Sequence, residues 1–231
     1  LDYHGTIEAY HAVKRQFMTQ FSGQSIYPED YHPQAIPFDS PLKGAFNTDN
    51  MKAALAILRA IGVSDSALAT VGPALRPPPG RFEPVECGQP FDVIVDYAHA
   101  PDGLERVLTA IAALGYGRVI TVFGCGGDRD VTKRPLMGKI ADQSADYIVL
   151  TDDNPRTESP EQITQAIAQG IASTPFTVLH DRKAAMAHAF DIATAGDCVL
   201  IAGKGHETYQ ITASGTHEFD DAAIAKELLR A

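Results

Sequence analysis

Cysteine is scarce in this chain of 231 residues: Cys87, Cys125 and Cys198 stand far apart, with no paired spacing. That excludes a disulfide framework and a thiolate zinc site, and reads as buried thiols in a reducing compartment. Basic residues are outnumbered, 19 Lys and Arg against 29 Asp and Glu, for a formal net charge of -10. A nucleic-acid or anionic-membrane surface needs clustered cations to displace counterions, so neither partner is expected. No apolar run approaches the ~20 residues that span a bilayer. The opening LDYHGTIEAY has neither a basic flank nor an apolar signal core, and a cytoplasmic location is the expectation. Also missing are G-x-x-x-x-G-K-[ST], a completed G-x-G-x-x-G, and any H-E-x-x-H among the eight histidines. A Walker-type phosphate loop, a dinucleotide loop and a metal held by histidine alone are therefore not encoded.

What is present is an ordinary globular composition, 45% hydrophobic and 21% charged, enough for one or two domains. From residue 91 onward short apolar runs alternate with amphipathic ones, the pattern of βαβ units and a mainly parallel sheet. The predicted strands are FDVIVDYA, RVITVFG, DYIVLTDD, FTVLHD and CVLIAG. Between them, GLERVLTAIAAL sets Leu104, Val107, Leu108, Ile111 and Leu114 on one helical face, and EQITQAIAQGI does so with Ile163, Ile167 and Ile171. A turn at TASGT predicts a small hairpin, and DAAIAKELLRA a closing helix. The first 80 residues differ. TIEAYHAVKRQF and NTDNMKAALAILRAIG predict helices, but the stretch between them is polar, proline-rich and nearly without strand signal. LRPPPGR predicts a stiff extended linker, which puts a domain boundary near Pro78.

Four polar clusters follow predicted strands: DYAHAPD after Val95, GCGGDRD after Phe123, DDNPR after Thr151 and GKGHE after Ala202. The carboxyl edge of an open α/β sheet is where ligands bind. Singly, each has a plain alternative. GCGGDRD could be a glycine turn, Asp96 a strand-end cap and His99 a surface histidine, while GKGHE is like a phosphate loop only superficially. The run DYIVLTDDNPRTESP is the most telling, because a buried strand empties into a loop carrying both signs of charge. A ligand that is itself both acid and amine accounts for such a loop.

Five ordered segments, GRFE (Gly80 to Glu83), DYAHAPD (Asp96 to Asp102), FGCGGDRDVTKRPLMG (Phe123 to Gly138), TDDNPRTESP (Thr151 to Pro160) and AGKGHETYQ (Ala202 to Gln210), together resemble the C-terminal domain of the Mur ligases. The resemblance implies an α/β fold, a Rossmann-like, mainly parallel sheet flanked by helices, preceded by a partial helical remnant of the central ATP-binding domain. It divides the chain into central-domain segments over 1–78 and the amino-acid-binding domain over 79–231. LDYHGTIEAYHAVKRQF is similar to a central-domain segment whose lysine, here Lys14, is carbamylated and helps hold Mg2+; GAFNTDN is similar to one whose asparagines, here Asn47 and Asn50, lie near adenine. The family's nucleotide-sugar domain, its phosphate loop and a metal-binding histidine expected just before Leu1 have no counterpart, and the join between Phe21 and Leu42 is shorter than expected for the family.

Within the family the motifs resemble the diaminopimelate-adding branch. That implies ATP-driven amide-bond formation joining meso-diaminopimelate to UDP-N-acetylmuramoyl-L-Ala-D-Glu in peptidoglycan biosynthesis, by a monomer with ATP and Mg2+. The acceptor carboxylate takes the γ-phosphoryl group, the amine attacks and phosphate leaves. By resemblance Arg81 reaches the phosphates, Asp96 accepts from the ribose hydroxyls and His99 lies close to the nucleotide. Arg129 and Arg156 are the carboxylate forks; Asp153, Asn154 and Glu207 supply oxygens for amine groups; Gly203 lets backbone approach the ligand; and Pro155 stiffens the loop. Arg156 selects diaminopimelate over lysine, since a charge-assisted hydrogen bond is worth ~1.5 to 3 kcal/mol. Two alternatives stand beside this reading: a catalytically incomplete domain that holds the amino acid without transferring phosphate, and an unrelated nucleotide-binding sheet.

Overall fold

A computed structural model describes residues 6–20, 23 and 25–230. The first five residues of the LDYHGTIEAYHAVKRQF segment lie outside the described residues, as does Phe21. The chain forms two compact units, one of Leu1–Pro41 with Phe46–Leu75, the other of Leu42–Ala45 with Arg76–Ala231. They part inside the proline-rich LRPPPGR stretch, where residues 75–78 adopt no regular structure.

The first unit is helical: α1 (Ile7–Thr19), α2 (Pro28–Tyr31), α3 (Ala45–Ala60, its first residue in the second unit), α4 (Asp65–Val71) and a 3-10 turn, Gly72–Ala74. Thr6 caps α1 by accepting from Ala9 N, and Ser64 caps α4 by accepting from Ala67 N, each satisfying one of the amides a helix start leaves open. The proline-rich stretch contributes the single turn α2 and, among its described residues, no strand. Arg59 ties this unit together, donating to Asp65 Oδ1 (2.7 Å), Gln34 Oε1 (2.7 Å) and Ala35 O (3.1 Å). Among the described residues its buried apolar side chains are Met51, Leu55, Ala56 and Leu68 alone, while Val13, Phe17, Ile57, Ile61 and Val71 are exposed.

The second unit is built on a sheet of six strands: β1 (Glu83–Pro84), β2 (Asp92–Asp96), β3 (Val119–Phe123), β4 (Tyr147–Leu150), β5 (Phe176–Val178) and β6 (Cys198–Ala202). Their spatial order is β1-β2-β6-β3-β4-β5, antiparallel only at β1. The helices are α5 (Pro101–Ala112), α6 (Lys133–Ser144), α7 (Pro160–Ala168), α8 (Arg182–Ile192) and α9 (Asp221–Arg230), and β7 (Tyr209–Thr212) with β8 (Gly215–Glu218) forms the expected hairpin. One sheet face, Val93, Val95, Ile120, Val122, Val149, Val199 and Ile201, packs on Ala185, Met186 and Ala189 of α8 and Ala225 of α9. The alternating residues Ile94, Phe123, Ile148, Leu150 and Leu200 turn to the other face and are equally buried, with the buried stripes of α5, α6 and α7 supplying the second layer. Burial on both faces is why these strands read as continuous apolar runs.

The predicted strands and helices of this unit are present, with two shortfalls. Helix α5 ends at Ala112 and leaves Leu114 38% exposed, and α7 ends at Ala168, so Ile171 is half-buried beyond it. No helix among the described residues is long and apolar enough to cross a membrane. Register aligns the strand ends that matter: Asp96 pairs with Ala202, Val122 with Ile201, and Phe123 with Leu150, so the four polar clusters leave neighbouring strands at one edge.

Candidate functional site

At the β2 end of this edge, Asp96 joins two loops. Its Oδ2 accepts from Phe82 N and its Oδ1 from Ala98 N, both at 2.8 Å, which pins the GRFE turn to DYAHAPD. Burial pushes the Asp96 carboxyl above its usual range, against the pull of those two N–H groups and of Arg81. Phe82 has φ 49°, a left-handed conformation that a bulky residue holds only when its surroundings demand it. A Cβ on Gly80 would lie 2.1 Å from His206 N, so the GRFE and GKGHE turns meet backbone to backbone. Around Tyr97 the Arg81 guanidinium lies 4.7 Å from the ring centroid, His99 meets it edge-on at 4.5 Å and His206 at 5.0 Å. Arg81, Asp96 and His99 thus fall into one cluster.

The second cluster is two-signed. Gly127 N donates to Asn154 O (2.9 Å), and a Cβ on Gly127 would lie 1.9 Å from Pro155 O, so the GCGGDRD and DDNPR loops are pressed together. Arg156 Nη1 donates to Gly127 O (2.8 Å) and Asn154 O (3.3 Å); among the described residues its other guanidinium nitrogens make no hydrogen bond. The space where Gly126 lacks a Cβ is 2.9 Å from Arg156 Nη1 and 3.8 Å from Arg129 Cγ, so both arginines pass the same glycine. Asp128 (φ 55°) and Arg156 (φ 54°) are both left-handed, and the Asp128 carboxylate accepts from Thr157 N and Oγ1. Behind them Arg134, buried, bonds Glu158 Oε2 (2.8 Å) and Gly126 O (3.3 Å), holding one loop to the other.

Acceptors complete the cluster. Asp153 is only 7% exposed, and among the described residues its carboxylate has no hydrogen-bond or ion-pair partner. Gly203 has φ 117°, and a Cβ there would lie 2.7 Å from Asp153 Oδ2; the close approach it permits is to that carboxylate. Asn154 requires a correction. Ile211 N, which can only donate, reaches Asn154 Oδ1 at 2.9 Å, and Lys204 Nζ reaches the same oxygen at 3.2 Å. Both lone pairs are taken, so Asn154 does not supply an oxygen for an amine; what remains is one N–H of Nδ2, whose other hydrogen goes to Glu207 Oε2 (2.9 Å). Lys204 is fully buried, its ammonium paired with Glu207 Oε2 at 3.3 Å.

Arg182 braces this edge from below. It forms a wholly buried ion pair with Asp221 (2.8 Å) and donates to Ala202 O (3.0 Å) at the end of β6. Lys14 stands exposed on α1 in the first unit, its Nζ 4.5 Å from the Tyr10 ring centroid, and Asn47 is half-buried in α3 of the same unit, with Asn50 exposed. Among the described residues no group of three His, Cys, Asp or Glu is placed to hold a metal ion. The sequence reading missed Lys204, Arg134, Glu158 and the Arg182–Asp221 pair; only Lys204 leaves a trace, as a lysine bracketed by two glycines at a strand end.

Comparison with known proteins bears on this edge directly. Residues 80–205 match the family described as Mur ligase, glutamate ligase domain. The UDP-N-acetylmuramoyl-L-alanyl-D-glutamate--2,6-diaminopimelate ligase of Syntrophomonas wolfei is 45% identical over 203 residues, 87% of this chain and 42% of its own length. The ligase of the same name from Vibrio vulnificus is 38% identical over 277 residues, 99% of this chain and 56% of that protein. An alignment of 277 residues to a chain of 231 must open gaps in this chain. A solved structure of a ligase of that name superposes with a TM-score of 0.67 at 42% identity, covering 84% of this chain and 40% of its own. The chain spans about half the length of the curated relatives it matches. The sheet, the five ordered motifs on it and these matches give one conclusion: the chain belongs to the Mur ligase family.

Proposed function

We propose that this chain carries the amino-acid-binding domain of an ATP-dependent ligase that joins meso-diaminopimelate to UDP-N-acetylmuramoyl-L-Ala-D-Glu, working as a cytoplasmic monomer. In this reading residues 1–78 are segments of the central domain and 79–231 the C-terminal domain. The observation that carries it is the two-signed cluster, in which Arg129 and Arg156 pass Gly126 and the loop of Arg156 also carries Asp153, whose carboxylate faces Gly203 and has no hydrogen-bond or ion-pair partner among the described residues. Diaminopimelate has two carboxylates and two ammonium groups, and a site for it needs forks of one sign next to acceptors of the other.

Each residue then has a task. Arg129 and Arg156 grip carboxylates, Asp153 and the free Oε1 of Glu207 accept from ammonium, and Asn154 donates its remaining Nδ2 hydrogen to a carboxylate oxygen. Arg81, Asp96 and His99 would hold the nucleotide, whose γ-phosphoryl group activates the acceptor carboxylate. The Tyr97 cluster suits that use, since it offers a guanidinium, imidazoles and a carboxylate on three adjoining loops. Mg2+ and a carbamylated Lys14 come with the family resemblance; the described residues offer no cluster of metal ligands, and no step is routed through a metal.

Calorimetric titration of the chain with meso-diaminopimelate and with L-lysine tests the proposal. Diaminopimelate should bind about 10- to 150-fold more tightly, the equivalent of one charge-assisted bond of ~1.5 to 3 kcal/mol, and Arg156→Ala should abolish the difference. Equal binding of the two amino acids would overturn the substrate assignment.

A further inference from the structure

We infer that Lys204 is a positioning residue for the amino-acid site, acting through the side chains of Asn154 and Glu207; the inference rests on the substrate reading above for its ligand. Lys204 lies between Gly203 (φ 117°) and Gly205 (φ 52°), and a Cβ on either would collide, with Asp153 Oδ2 at 2.7 Å or with Tyr97 Cβ at 2.6 Å. Left-handed backbone on both sides turns the lysine inward, where its side chain is 0% exposed. A buried ammonium is tolerated only when paired and hydrogen-bonded. Here its partners are Asn154 Oδ1 (3.2 Å) and Glu207 Oε2 (3.3 Å), with the Tyr209 ring centroid 5.6 Å away.

The consequence is a closed triangle. Asn154 Nδ2 donates to the Glu207 oxygen that Lys204 also reaches, and Ile211 N fixes which way round the amide sits. Each inward atom is saturated, so each side chain presents a single outward atom: one Nδ2 hydrogen from Asn154 and Oε1 from Glu207. Lys204 pairs with Glu207, while Asp153 has no hydrogen-bond or ion-pair partner among the described residues and feels the field of the buried Arg182. Without Lys204, Glu207 loses its only ion-pair partner among the described residues and Asn154 loses one of the two donors that lock its oxygen.

The test is a double-mutant cycle on the 231-residue chain, Lys204→Met against Asn154→Ala, read by titration with meso-diaminopimelate. Each single variant should bind at least about tenfold more weakly, and the double variant should lose clearly less than the two losses combined, since only the route through Glu207 survives Asn154→Ala. Additive losses would show that Lys204 does not act through Asn154 and would overturn the inference. A second readout needs no ligand: hydrogen exchange of the Asn154 Nδ2 resonances should quicken about tenfold in Lys204→Met. If wild type ignores diaminopimelate while that exchange still responds, the substrate reading falls and the positioning role stands; if wild type binds and Lys204→Met binds as tightly, the positioning role falls. Should Lys204→Met not fold, Lys204→Gln, which keeps a donor but no charge, is expected to give a smaller effect on both readouts, and no effect on either overturns the inference.

Discussion

The two units solve the same problem with different means. In the second, every central strand is buried on both faces and the helices supply two layers of apolar cover. In the first, the buried apolar side chains among the described residues are Met51, Leu55, Ala56 and Leu68, Phe17 is 60% and Ile61 72% exposed, and Arg59 carries much of the connection through polar bonds. Chain entropy costs roughly 1 to 2 kcal/mol per residue ordered, so an interior this thin leaves little margin, whereas a sheet with two covers leaves room for a buried ion pair and an unpartnered carboxylate. Buried polar and charged groups that cost stability are found where the apolar surplus is. Every residue of the two-signed cluster belongs to the second unit.

The largest test of that contrast is Asp221→Ala. Arg182 would be left as an unpaired, wholly buried charge beneath the β6 end, and the second unit should lose about 3 to 5 kcal/mol. With no tryptophan in the chain, the loss is best followed by far-UV circular dichroism in urea. Replacing both partners by apolar residues, Arg182→Met with Asp221→Leu, should recover most of it. Equal acceleration of amide exchange in α3 and in β3 after Asp221→Ala would mean that the two units do not unfold separately. Next in size is Leu55→Ala in α3, expected to cost about 2 to 3 kcal/mol, the lower part of the range for buried leucine because an interior with so many exposed neighbours collapses readily around the gap. Exchange should quicken in α3 and α4 and stay slow in β3 and β6; slowed or unchanged α3 amides would contradict the thin-core account.

What could be read from sequence divides along the same line. The central strands β2, β3, β4 and β6 announce themselves because double burial demands unbroken apolar runs, and the four polar clusters follow them. Helices α6 and α8 left no such sign: their buried faces are Arg134, Met137, Gly138 and Ala141, and Arg182, Ala185, Met186 and Ala189, small residues and a paired arginine in place of a leucine stripe. Strand β1, two residues long, has no period to detect. Leu114 and Ile171 continue the apolar spacing past the helix ends, so periodicity overran the structure there. At the candidate site, the motifs named side chains but not their partners. That the Asn154 oxygen is consumed depends on Ile211 and Lys204, brought together by a hairpin and a strand end far along the chain, and no local pattern encodes such a meeting.

The smallest expected effect concerns acid. Asp142, late in α6, accepts from Thr174 N (2.7 Å) and Ser173 N (2.9 Å) through Oδ1, binding the helix to the segment that enters β5. Those bonds, Thr174 first and Ser173 next, hold its carboxyl down to about 2 from the ordinary 3.8. A carboxyl depressed in the folded state contributes stability that is whole above the unfolded value and drains away as pH falls through the folded one, so the window runs from about pH 4 down to about pH 2. Asp142→Asn keeps an acceptor but cannot titrate, and its urea midpoint for the second unit should vary less across that window than the wild-type midpoint does. Because the side chain is partly exposed, the difference should be modest and should shrink with salt. Identical acid slopes in the two proteins would remove Asp142 from the account, and a slope change seen in α3 exchange instead would place the acid sensitivity in the thin unit, reversing the comparison.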